Sequence, residues 1–323
     1  MKLLPKLVII LLCVSLIPVM ISGYSLIGIS QRELVEKIKD LHLSSAIHIA
    51  EDIGKDLSEI IRNLRLGIGY TNFEALTNEE KVGALRILYS QFSSLDIVTL
   101  LNEKGEEVVP SVYIDDPTLL NGPLRGHQAV SREELSRYAE NIPLKAALQS
   151  GTAMGPVYTS GVRKTPLVAV ALAFPVRNGK GLWVLSAEIS LRDVQENISE
   201  FSIGSGGSAF LVDGEGRLIA HPDIARTLLR EDLSGVSIVR NLVLEKKSGV
   251  ETFAGNDGIE MIGARSPVKE FSWGVVVQQP RAEALFAVRQ MRARIVFWLG
   301  ISLIGTVIVG VVMARGISRP LVQ

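Results

Sequence analysis

The residues whose types and spacing could do chemistry fall in a few short stretches of this 323-residue chain. The glycine-rich "GSGGSAF", residues 204–210, has the composition of a phosphate-cradling loop. It lacks the lysine and hydroxyl residue that complete such a loop, and it leads into a strand pattern instead of a helix, so it reads as a turn. "DGEG" followed by "HPD" brings Asp213, His221 and Asp223 close in sequence. Asp213 and His221 sit on opposite arms of a hairpin pattern and nothing supplies further metal ligands, so turn chemistry is the plainer role. His42 and His48 fall in a long helical pattern and read as ordinary helix residues. Tyr158 and Arg163, with Tyr113, Asp115 and Arg125 upstream, would suit a carboxylate gripped by a guanidinium and capped by an aromatic ring. Taken singly, each also fits a surface charge or a half-buried ring. No nucleophile elbow, zinc-binding helix motif or carboxylate pair stands out, so no catalytic residue, metal or cofactor is expected.

Composition narrows the setting for those residues. The chain balances 34 Lys+Arg against 34 Asp+Glu, and no basic stripe gathers on one face, which argues against nucleic acid as a partner. Its single cysteine, Cys13, lies in the first apolar run and rules out both an internal disulfide and a cysteine-based zinc site. Two uncharged runs, Leu7 to Ile29 and Ile295 to Ala314, are each long enough to span a bilayer as a helix, and Trp298 stands near one end of the second. The first is too long for the apolar region of a cleaved signal peptide and lacks a cleavage site, so a signal anchor is expected. Lys2 and Lys6 before the first run, and Arg315 and Arg319 after the second, place both termini in the cytoplasm. Arg289, Arg292 and Arg294 on the outer flank oppose that orientation, but large domains translocate largely regardless of charge.

The segment between the runs is a helix followed by a repeat. Apolar residues from Leu34 through Ile38, Ile49, Ile53, Leu57 and Ile60 to Leu64 keep helical spacing without proline. Beyond them, "IVTLLNEKGEEVV" (97–109) and "SAFLVDGEGRLIA" (208–220) each read as strand, glycine-containing turn and strand. In the same order, "SGTAMGPVY" answers "SGVETFAG", and "FPVRNGKGLWVLSAEI" answers "SPVKEFSWGVVVQQP". Two α/β modules of one kind follow, each an antiparallel sheet of hairpins with helices packed on it. The first carries extra residues between about 110 and 149, and inserted loops on a shared scaffold are where binding residues usually lie.

The long helix, "GSAFLVDGEGRLIAHPD" (207–223), "FPVRNGKGLWVLSAEISL" and "WGVVVQQPRAEAL" (273–285) together resemble the double Cache sensor domain of bacterial transmembrane receptors. "ISRPL" resembles the start of a HAMP linker, with Ser318 capping a helix that Pro320 opens. The fold class implied is α+β, with two tandem PAS-like domains on a long N-terminal helix, flanked by two transmembrane helices. The expected organisation is a cytoplasmic N-terminus (1–6), first transmembrane helix (7–29), stalk helix (30–66) and membrane-distal Cache domain (67–190). A linker helix and turn (191–204), membrane-proximal Cache domain (205–283), juxtamembrane helix (284–294), second transmembrane helix (295–314) and HAMP start (315–323) complete it.

The resemblance implies a receptor, homodimeric in the bacterial inner membrane, that binds a small molecule in its distal module and relays the change to a HAMP and output domain further on. In amino-acid-sensing members an Arg-x-Trp-Tyr cluster holds the ligand carboxylate, and a later Tyr and Asp hold its amino group. Here Arg137 and Tyr138 are adjacent without the tryptophan, and Tyr158 is followed by Thr159 and Ser160 where the acid should be. A carboxylate-type metabolite is therefore the expected ligand, with Tyr113, Asp115, Arg125, Arg137, Tyr138, Tyr158 and Arg163 as its site. The rival readings are a ligand-independent dimerisation module or indirect sensor, and a membrane-anchored enzyme.

Overall fold

The computed structural model describes residues 3–115, 127–176 and 181–318, and in the terminal helices only part of the side chains. By internal contacts the chain divides into two units, one of residues 42–203 and 207–278, the other of the terminal segments 1–41, 204–206 and 279–323. A single helix, α1 (Leu3–Tyr70), contributes to both. Its later part buries Ala46, Ala50, Ile53, Leu57, Ile60, Leu64 and Ile68, which recur every three or four positions and so share one stripe.

After α1 come α2 (Asn78–Ser90), the hairpin β1 (Leu95–Asn102) and β2 (Glu107–Tyr113), then α3 (Arg132–Asn141) and α4 (Leu144–Ser150). Three antiparallel strands follow, β3 (Thr152–Ser160), β4 (Thr165–Pro175) and β5 (Leu182–Ser190), and then the linking helix α5 (Arg192–Glu200). The second module repeats the plan with β6 (Ser208–Val212), β7 (Leu218–Ala220), α6 (Ile224–Leu228), α7 (Ser237–Glu245), β8 (Gly249–Ala254), β9 (Glu260–Val268) and β10 (Trp273–Pro280). The sheets have the same strand order, β2-β1-β5-β4-β3 and β7-β6-β10-β9-β8, which bears out the internal repeat and the α+β class.

The repeat extends to the turns. In the first hairpin the Asn102 side chain accepts from the backbone N–H of Lys104 and Glu106, and Gly105 takes φ +84°. In the second, Asp213 accepts from Glu215 and Arg217, and Gly216 takes φ +84°. The left-handed φ makes glycine the residue of choice at both places. Asp213 is thus occupied in its turn and in an ion pair with Arg230.

One hydrophobic cluster joins the stripe of α1 to a face of both sheets, with Val98, Leu100 and Val170 from the first and Leu211, Val275 and Val277 from the second. At roughly 1.5–3 kcal/mol for each large apolar side chain fully buried, this shared core is the main force holding sheets to helix. The opposite faces are covered by α3 and α4 in the first module and α7 in the second.

The other unit contains the first part of α1 with α8 (Arg281–Ala284) and α9 (Phe286–Ser318). Among the described residues no helix is long and apolar enough to cross a membrane. Both expected spans include residues whose side chains are not described. Of those that are, Ile17, Ile21, Phe297, Trp298 and Ile308 stand exposed. Of the expected HAMP start, residues 315–318 continue α9, while 319–323 lie outside the described residues.

Candidate ligand site

The first sheet buries charge on the face that α3 covers. Along the β1–β5 ladder Leu95 opposes Ile189 but Ile97 opposes Glu188, so one extra residue, Asp96, is inserted in β1. Such a bulge re-aims the side chain it carries. Here it brings Asp96 to the same guanidinium that Glu188 meets. Arg163, in the turn between β3 and β4, donates from Nη1 to Asp96 Oδ2 at 2.7 Å and to Glu188 Oε2 at 2.8 Å. Its Nε donates to Glu134 Oε1 at 2.8 Å. All four side chains are 4% exposed or less.

Local structure explains why Glu134 is there. Ser131 caps α3, its hydroxyl accepting the Glu134 N–H while the Glu134 carboxylate accepts the Ser131 N–H at 3.0 Å. The remaining oxygen of Glu134 is then fixed to accept from Arg163 and from the Ser160 hydroxyl. Tyr158 of β3 donates to Glu188 Oε1 at 2.5 Å.

Three carboxylates therefore surround one cation, and burial splits their behaviour. Burial pushes the Asp96 carboxyl up to about 7, with Arg163 pulling it down and Glu188 adding to the rise. Burial also works to raise Glu134, but hydrogen bonds from Ser131, Ser160 and Arg163 hold it at about 2. The Tyr158 phenol is raised well above its ordinary value, by burial first and then by the charge of Glu188, and so stays a donor. Asp96 Oδ1 is buried without a hydrogen-bond partner among the described residues. A buried acceptor left over beside an excess of negative charge is what a cationic donor would satisfy.

The family profile of the Cache domain matches residues 29–288. The chain belongs to the Cache domain family. Its fold is similar to the periplasmic sensory domain of the Campylobacter jejuni chemoreceptor Tlp1, at 16% identity and a TM-score of 0.59, over 78% of this chain and 98% of that one. It is also similar to the ligand-binding domain of the Pseudomonas aeruginosa PAO1 amino acid chemoreceptor PctB in complex with L-Arg, at 23% identity and a TM-score of 0.52, over 77% and 97% of the two chains. A third similar fold is the ligand-binding domain of Mlp24 with asparagine, at 14% identity and a TM-score of 0.54, over 79% and 99%. At these identities the likeness is one of fold.

Within this Cache fold the residues expected at the site are scattered. Tyr158 and Arg163 meet directly around Glu188. Tyr138, buried on α3, packs with Ile97, Ala169 and the half-buried Tyr113 in one cluster on the same face. Arg137 instead reaches the Thr159 carbonyl at 3.4 Å and pairs with Glu133. Asp115 is exposed, and Arg125 lies outside the described residues. The acids that define the cluster, Asp96, Glu134 and Glu188, escaped the sequence reading. Two of them carried a signal: an acid inside "LDIVTLL" and one inside "VLSAEIS" are charges in strands otherwise apolar enough to be buried. Glu134 was hidden in an S-x-x-E pattern that explains itself as a cap.

Removing the cap tests how Glu134 is held. Ser131→Ala is expected to cost about 1 kcal/mol of stability, read as a lowered urea midpoint. Ser131→Thr, which keeps a capping hydroxyl able to donate to Glu134, is expected to recover most of it.

Proposed function

We propose that this chain is the sensory and membrane part of a transmembrane receptor whose first Cache module binds a small extracytoplasmic ligand bearing an ammonium group. The observation that carries the ligand class is the Arg163 cluster. The buried Arg163 guanidinium is already shared among three carboxylates, while among the described residues Asp96 Oδ1 has no hydrogen-bond partner. A carboxylate ligand would have to displace one of those acids; an ammonium group adds the charge the cluster lacks. Asparagine with Mlp24 and L-Arg with PctB are ligands of similar folds, and each carries an ammonium group. In this reading the chain does no chemistry on its ligand, and any catalysis belongs to an output domain.

Transmission starts on β3. Tyr158 bonds to Glu188 in the cluster, and the next residue, Thr159, donates to the Leu228 carbonyl of the second module at 3.2 Å. A ligand that favours one arrangement of β3 would thereby bias the second module, whose last strand continues by chain connection into α9. The bias equals the difference in the ligand's affinity for the two states. Exposed apolar side chains on α1 and α9 support their placement in a bilayer, with a homodimer, a HAMP helix and an output domain completing the receptor.

A thermal-shift panel on the full chain in detergent tests this reading, comparing L-amino acids and alkylamines with mono- and dicarboxylates. Stabilisation by ammonium-bearing members is expected, because a ligand of the native state raises its melting temperature. No stabilisation by any amine, together with stabilisation by a carboxylate that Asp96→Asn alters, would return this module's ligand class to an acid. Affinity for the amine is also expected to strengthen by about tenfold between pH 6 and pH 8. A cation beside Asp96 favours its charged form, so binding expels the proton that Asp96 holds below about 7.

A further inference from the structure

In the second Cache module a cavity of about 320 Å³ is lined by the apolar Leu233, Val236, Phe253 and Met261 together with the polar His221 and Arg226. The two polar residues do not fit each other. His221 Nδ1 lies 2.9 Å from the Asp223 N–H, and its Nε2 lies 3.0 Å from Arg226 Nη1. Both neighbours are pure donors, whereas an imidazole can accept through one nitrogen only. Whichever tautomer it adopts, one ring N–H faces another N–H. Burial and the charge of Arg226 lower the histidine's affinity for a second proton, and protonation would only add to the mismatch.

The rest of the polar end is fixed in place. Glu231 takes Nε and Nη2 of Arg226 as a bidentate pair, at 2.5 and 3.0 Å, which leaves Nη1 facing His221. Gln195 of α5 brackets the backbone of His221, donating to its carbonyl at 2.7 Å and accepting from its N–H at 3.2 Å. An acceptor oxygen beside Nε2 and Nη1 would resolve the mismatch, and a short apolar body attached to it would meet Leu233, Val236, Phe253 and Met261.

We propose that this cavity is a second ligand site, taking a short-chain monocarboxylate with its carboxylate oxygen on His221 Nε2 and Arg226 Nη1. Asp257, exposed in the β8–β9 turn at the rim, repels a second negative charge and so selects against dicarboxylates. The site is independent of the Arg163 cluster and takes the opposite charge class.

Calorimetric titration of the full chain in detergent with butyrate tests it, using succinate and the uncharged 1-butanol for comparison. Butyrate is expected to saturate one site per chain, with succinate and 1-butanol at least about tenfold weaker. His221→Phe removes the ring donor, and Met261→Trp fills the apolar end without touching the polar one. Each is expected to weaken butyrate about tenfold or more while keeping a cooperative melt. Asp96→Asn, in the other module, is expected to leave butyrate binding unchanged. Absence of saturable butyrate binding, equal binding in wild type and both cavity variants, or loss in Asp96→Asn would each overturn the proposal.

Discussion

Arg163→Ala is expected to destabilise the first Cache module by about 3–5 kcal/mol near neutral pH, the cost of stranding buried charge without its partner. Asp96, Glu134 and Glu188 are each almost fully buried, and all three meet this guanidinium. Without it, the strongest pull holding the Asp96 carboxyl down to about 7 is gone, so its folded-state value rises further above the unfolded one. A group raised in this way is compatible with folding at low pH and opposes it as pH climbs through the folded value. The loss is therefore expected to be large at about pH 8 and smaller at about pH 5, where Asp96 is neutral. Urea denaturation of the variant and wild type across that range checks it. An equal loss at every pH would mean that Arg163 contributes packing and not charge balance.

Asp96→Asn is expected to do the opposite to stability and more to function. Burial pushes the folded carboxyl up to about 7 from the ordinary 3.8, so the native state favours its neutral form. Its contribution is favourable at low pH and is lost as pH rises from the unfolded value towards 7, leaving a penalty above that. Asparagine cannot ionise and still accepts from Arg163. Set against a new amide donor without a partner, the net gain near pH 8 is on the order of 2 kcal/mol. The same change is expected to weaken an ammonium ligand by about 10- to 100-fold, the usual worth of a buried charge-assisted hydrogen bond. A variant that melts higher and binds worse would mark a residue kept for recognition at the expense of stability. One that melts lower would show that Asp96 is held for structure.

How legible these features were depends on how local their causes are. The repeat was legible because each hairpin turn is fixed by residues within four positions, Asn102 with Gly105 and Asp213 with Gly216. The stripe of α1 was legible for the same reason. Strand order was not, since it joins β1 to β5 across most of a module. Arg163 was recognisable as a residue able to grip an anion, but its partners Asp96 and Glu188 lie 67 and 25 residues away in sequence. Only the bulge in β1 brings Asp96 to it. His221 shows a subtler failure. The metal-ligand reading pairs it with Asp213 and Asp223, whereas the group its Nε2 meets is Arg226.

The central claim is that an ammonium-bearing ligand binds beside Asp96 and draws off its proton. Calorimetric titration of the full chain at pH 7, with the tightest amine from the panel and in two buffers of different ionisation enthalpy, measures protons released per ligand bound. Release of about half a proton is predicted for the wild type, as for a group half protonated near its pKa, and none for Asp96→Asn. Proton uptake, or equal release from both proteins, would contradict the account.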